Sequence, residues 1–281
     1  VAGVAGLALA AAIPGGALAK TAALPATGDW EATGAGGTTA SFEVAIAGRS
    51  GHAKYRVVED FAVDAPITCT NSSEPAIPFD VEVVDGPLRL AKDGTFSSGA
   101  IRDGAGTLVS GRFSGTHFTI AYRHESSTAN QFAGGTEVCD TGTIHITAAP
   151  GHRQQVKDGI WQGVTQTNEP VVFYVAAGGR ALVAPPSPPT NGSPQAAFAF
   201  GQFTQTCSQG GCSPSSNDIC AYESPTSLFV AADGSFDNSQ WDNGGDNPTV
   251  AGTFSGASRA SGQFANGPQG CGQTDWSAAA G

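Results

Sequence analysis

Among the residues able to do chemistry, the histidines stand out by position. His52, His117, His124, His145 and His152 are the five, and all precede residue 153. Imidazole is a common metal ligand, and its ordinary pKa lies near neutrality. Phe118, Ile120 and Tyr122 alternate with His117, Thr119 and Ala121, and Ile144 and Ile146 flank His145. In strands that pattern turns His117 and His145 to the solvent side. On neighbouring strands the two could chelate one metal ion. Ser258, however, takes the place of His117 in the internal repeat described below, so solvated histidines are the expectation. A second candidate is the run Asp237 to Asn247, where Asp237, Asp242 and Asp246 stand among Asn and Gly. Oxygen ligands on such a loop suit Ca²⁺, although the sixth-place Gly and closing Glu of an EF-hand are missing. Trp241 in that run, and Tyr222 before it, each offer an apolar ring with a polar edge, which can stack on a sugar.

Hydrolase motifs are weaker. Gly256-Ala257-Ser258-Arg259-Ala260 fits G-x-S-x-A loosely, but a nucleophile elbow needs a following His, and none occurs after His152. His124-Glu125-Ser126-Ser127-Thr128 fails H-E-x-x-H at its last residue. Two carboxylates far apart in sequence could still cleave a glycoside; the candidates are Glu31, Glu43, Glu59, Glu82, Glu125, Glu137, Glu169 and Glu223. Their places in strand-like segments indicate solvated faces. Lys and Arg number 13 against 24 Asp and Glu, a net charge of −11. Nucleic acid is thereby excluded as the main ligand, because phosphate binding needs clustered bases.

The elements that must position these residues come from self-similarity. Gly28-Asp29-Trp30 recurs as Gly159-Ile160-Trp161, and Phe42-Glu43-Val44 as Phe173-Tyr174-Val175. Leu88-x-Leu90-Ala91-x-Asp93-Gly94-x-Phe96 recurs as Leu228-x-Val230-Ala231-x-Asp233-Gly234-x-Phe236. Val109-x-Gly111-x-Phe113-Ser114-Gly115 recurs as Val250-x-Gly252-x-Phe254-Ser255-Gly256. The repeat divides the chain into copy one, 28–149, and copy two, 158–281. Residues 150–157 are a polar linker and 20–27 an N-terminal spacer. Copy two carries the extra Pro185-Pro186-Ser187-Pro188-Pro189. The local period is two, the runs are short, and Asp-Gly turn pairs bound them. Gly is abundant, 39 of 281 residues, without a collagen period. The fold expected is all-β: two tandem antiparallel β-barrel or β-sandwich domains of about eight strands each, since short strands must bury one face and hide their edges.

Six cysteines in an exported chain read as disulfides. Cys69 and Cys139 are the two in copy one and should pair. By position Cys207 matches Cys69 and Cys271 matches Cys139, which leaves Cys212 with Cys220, although four cysteines allow three connectivities. Residues 1–19 are an apolar run closed by Ala17-Leu18-Ala19, as in a secretory signal peptide. Cleavage there would leave a chain with no membrane span. The Gly-x-Trp openings at Trp30 and Trp161 resemble those of lipocalins and other calycin-type barrels, where a Trp closes one barrel end. The whole layout resembles uncharacterised secreted bacterial proteins of tandem β-domains with an FSG segment and a terminal Cys. Those resemblances imply export and fold class. The functional expectation is a secreted or cell-surface module without catalysis, which binds a glycan or an envelope surface. The alternatives are a calycin-like carrier of a small apolar ligand and a carbohydrate-active enzyme on a β-sandwich. No cofactor is expected beyond the Ca²⁺ considered above.

Overall fold

A computed structural model describes residues 24–70, 79–84, 86–130, 135–183, 201–205, 220–223, 227–238, 249–266 and 272–281. They form an all-β, antiparallel architecture in two sheets. The first sheet holds β1 (Gly28–Gly34), β2 (Thr39–Ala47), β3 (Tyr55–Pro66), β4 (Thr68–Thr70), β5 (Phe79–Val84), β6 (Leu88–Arg89), β7 (Thr95–Gly99), β8 (Gly106–Ser114), β9 (His117–Asn130), β10 (Gly135–Asp140) and β11 (Ile144–Pro150). Eight of them pair in the order β7-β8-β9-β11-β1-β2-β3-β6. The turn from β6 to β7 joins the two ends of that series through Ala91 N–H to Thr95 O at 2.7 Å. The period-two pattern is the cause: Phe118, Ile120 and Tyr122 are buried, while Thr119 between them is exposed.

The second sheet holds β12 (Gly159–Thr165), β13 (Pro170–Ala176), β14 (Ala181–Leu182), β15 (Gly201–Gln205), β16 (Cys220–Glu223), β17 (Leu228–Phe229), β18 (Ser235–Asp237), β19 (Thr249–Phe254), β20 (Arg259–Asn266) and β21 (Gly272–Ala280). Its order β18-β19-β20-β21-β12-β13-β14-β17 repeats that of the first sheet. The repeated motifs occupy matching places. Trp30 opposes Phe42, as Trp161 opposes Phe173. Asp93 accepts from Thr95 N–H and Oγ1–H at 3.2 and 2.7 Å; Asp233 accepts from Ser235 N–H and Oγ–H at 3.0 and 2.7 Å. The following Gly94 and Gly234 take φ of +80° and +85°, which a side chain strongly disfavours. Phe113 and Phe254 then donate their N–H to the carbonyls of Gly94 and Gly234.

The sheets differ where β3 stands. Val58 and Val63 of one continuous β3 oppose Val44 and Ala40. At the corresponding places Leu182 opposes Val175, and Phe203 opposes Val171. The proline-rich segment thus enters at the β3 irregularity, where Asp60 has φ +53°; its own residues lie outside those described.

Aromatic rings pack against one another in both interiors. Trp30 lies 4.8 Å from Phe118 and 5.9 Å from Phe113, centroid to centroid, and Phe42 stacks on Phe61. Trp161 lies 4.9 Å from Phe254. Each buried ring contributes roughly 1.5–3 kcal/mol. Volume is exchanged between the sheets. Ile120 and Ile146 are paired in the first; Gly262 and Trp276 stand at those places in the second. A Cβ on Gly262 or Gly252 would meet Trp276 Cζ2 at 2.6 Å. Trp30 and Trp161 each donate their indole N–H four residues back, to Ala26 O at 3.3 Å and Lys157 O at 2.9 Å.

Candidate functional site

A cleft of about 790 Å³ lies on the outside of the first ring, over β6, β7, β8, β9 and β11. Sheet register places its lining. Outward Ser97, Ser110, Ala121 and His145 form one row across four strands; Thr95, Arg112 and Thr119 form the next. Arg89 stands at the β6 side, its guanidinium 4.6 Å from the centre of the Tyr55 ring. Arg112 lies 3.8 Å from Asp93, and both side chains are more than half exposed. Hydroxyls that donate and accept, beside fixed cations, can hold a polar ligand without performing a reaction on it.

The histidines divide. His145 lines the cleft, exposed as alternation requires. β9 and β11 are neighbours, yet His145 opposes Ala121, four residues from His117. That offset is about 14 Å along the strands, so the two cannot share an ion. By register the second-sheet counterpart of His117 is Arg259, not Ser258, because Phe113–Phe118 matches Phe254–Ala260. His124 is not solvated. It is buried, and its Nδ1 lies 2.9 Å from Thr107 Oγ1 and its Nε2 3.5 Å from Glu82. Tyr222 and Asn266 take the places of Glu82 and His124 in the second sheet, counted by register. Alternation puts His124 on the same face as Phe118, Ile120 and Tyr122, and the strand carries that inward face on to the ring's rim.

The polar segment 150–157 is no free linker. Gly151 donates to Asp29 O, Gln154 to Ala232 O and Lys157 to Ala257 O, and Val156 is buried. Arg153 reaches from it to Glu31 at 3.2 Å and Ser41 at 3.2 Å, with its side chain 1% exposed. It also donates to Val230 O. Arg180, on the turn after β13, crosses into the first sheet. It donates to Ser41 Oγ at 3.1 Å and Asp29 at 2.5 Å, and lies 3.9 Å from Asp60. Its own turn supplies Ala177 O at 3.1 Å and Gly178 O at 3.3 Å. Asp158 pins that turn through the N–H groups of Gly178 and Gly179. Ala62 and Val81 meet Ala177 and Ala181 beside the ions.

Several glutamates expected on solvated faces therefore stand at this junction. Asp29, Glu43 and Glu59 lie in one cross-strand row. Burial raises the Glu43, Glu59 and Asp60 carboxyls above their ordinary range. Arg180 opposes the rise, and neighbouring carboxylates add to it. Burial also pulls the Arg153 guanidinium down, against the pull of Glu31. None of these acids lines the cleft.

The Cys69–Cys139 pairing expected from the sequence is present, whereas most residues of the other cysteine and calcium expectations lie outside the described residues. Cys69 and Cys139 oppose each other across β4 and β10 and are bonded. With Glu137 they form a group of metal-ligand type, but the disulfide occupies both sulfurs. Cys207, Cys212 and Cys271 lie outside the described residues; Cys220 is placed in β16 by its backbone. Asp237 ends β18 and is exposed, while Trp241, Asp242 and Asp246 fall outside the described residues. Tyr222 opposes Phe203 in β16. Residues 1–23 are likewise outside, and among the described residues no helix is long and apolar enough to cross a membrane. No family model, curated protein or solved structure matches the chain.

Proposed function

We propose that the chain is a secreted, non-catalytic binding module whose working surface is the outside of its first β-ring. The observation that carries this reading is the contrast between the ring-packed interior around Trp30 and an open outer cleft. Where a carrier would hold an apolar ligand behind Trp30, the rings of Phe42, Phe113 and Phe118 already stand. The cleft instead offers hydroxyls, two arginines and a histidine, which suits a hydroxyl-rich polymer such as a glycan.

Hydrogen exchange with and without a panel of soluble polysaccharides tests the reading. Protection should appear on the β7, β8 and β9 amides, with no new reducing ends released. Release of reducing ends would make the chain an enzyme. Protection confined to the Trp30 interior, on adding a fatty acid, would make it a carrier.

A further inference from the structure

We propose that the outer cleft binds an acidic polysaccharide; the inference rests on the binding reading above and names its ligand class. Although acids outnumber bases 24 to 13 in the chain, the described lining of the cleft contains no Asp or Glu, and it contains Arg89, Arg112 and His145. Arg89 makes no ion pair among the described residues. Its guanidinium lies over the Tyr55 ring, which fixes it before any ligand arrives. Arg112 has only the long, exposed contact to Asp93, a contact of little worth in water. Asp93 is already satisfied by Thr95, so a ligand carboxylate or sulfate can take the guanidinium from it.

The second ring shows that the frame itself does not require these side chains. In matching register Phe229 replaces Arg89, Thr253 replaces Arg112 and Asp275 replaces His145. Asp237 and Ser261 stand where Ser97 and Thr119 do. One architecture thus carries a basic hydroxylated face in one copy and an acidic one in the other. Spacing narrows the ligand. Arg89 and Arg112 are separated by β7, and Arg112 and His145 by β9. Two strand steps are about 10 Å, so the two arginine positions stand at roughly that spacing, with the His145 imidazole as a further hydrogen-bonding group beyond them. An extended glycan with an anionic group on alternate rings presents charges at a comparable repeat. Ser97, Ser110 and Thr119 beside the arginines then meet sugar hydroxyls.

Affinity electrophoresis of the full chain in polygalacturonate, dextran sulfate or neutral dextran tests the proposal. Wild type should be retarded by at least one acidic polymer and not by dextran, and about 1 M NaCl, where screening acts within about 3 Å, should abolish the effect. R89Q and R112Q should each weaken retardation roughly tenfold, the scale of one charge-assisted hydrogen bond. R49Q with R259Q removes the same charge outside the cleft and should behave as wild type. Retardation by dextran equal to that by both acidic polymers would overturn the inference and leave the binding reading standing. So would equal loss in R49Q/R259Q and R89Q/R112Q, since net charge alone would then govern. No retardation by either acidic polymer also ends it. The binding reading has its own failure, release of reducing ends, measured in the same samples.

Discussion

Replacing Arg180 with Ala should uncouple the two rings. The guanidinium is 2% exposed and holds Asp29, Ser41 and two carbonyls of its own turn, with Asp60 3.9 Å away. Truncation leaves Asp29, 18% exposed, and Asp60, 39% exposed, facing a void without their counter-ion. Breaking a buried pair from one side costs about 3–5 kcal/mol, more than the pair itself contributes. The partial exposure of both carboxylates points to the low end, about 3 kcal/mol, because water screens what remains. At a urea slope of roughly 2 kcal/mol/M the midpoint should fall by about 1.5 M. Wild type should unfold in one transition and R180A in two, as each ring melts by itself. Lys at 180 should not restore the midpoint, since it lacks the planar fork that spans Ser41 and Asp29. R180A combined with D29N should recover part of the loss, because the stranded charge is then gone. A midpoint for R180A within about 0.2 M of wild type would refute the reasoning, and would mean that the apolar contacts of Ala62, Val81, Ala177 and Ala181 hold the junction unaided.

Other outcomes follow from the same geometry. The junction acids Glu43, Glu59 and Asp60 have raised carboxyl pKa values, so the folded chain binds protons more tightly than the unfolded one. Their contribution makes stability rise as pH falls from 7 toward their unfolded values near 4. Asp29, Glu31, Asp158, Arg153 and Arg180 face the same cluster, and E43Q with E59Q should flatten that rise in urea midpoints measured from pH 7 to 5. Below about pH 4 the trend should reverse as Asp140, Asp93 and Asp233 lose their charge. Their carboxyls are held low by hydrogen bonds from Arg123, Thr95 and Ser235. Replacing Cys69 and Cys139 with Ser opens a link across 70 residues and should cost about 4 kcal/mol of chain entropy, read as an earlier urea midpoint. Gly252→Ala drives a methyl toward Phe236 and Trp276, both within 2.6 Å, and should lower stability by about 1–3 kcal/mol in thermal melts.

How much was legible in the chain itself follows from the range of each interaction. Turns and alternation are local: Asp93-Gly94 and Asp233-Gly234 need only their own dihedrals and the next hydroxyl. A period of two names inward residues such as Phe118 and Ile120 before any partner is known. Hence the all-β antiparallel class, the matching motifs, the burial of Trp30 and Trp161 and the outward turn of His145 could be read from sequence. The Cys69–Cys139 link followed from counting. The burial of Arg153 and Arg180 could not, because a charge becomes an interior residue only when carboxylates from another part of the chain close around it. Glu31 and Asp29 lie 122 and 151 residues from those arginines. The same limit hid the setting of His124, whose partners Thr107 and Glu82 arrive from other strands, and the cleft, whose lining is assembled from five strands. Sequence alone determined which residues turn inward and which outward along each strand; tertiary structure decided which outward residues meet, because register across a sheet is set by long-range pairing.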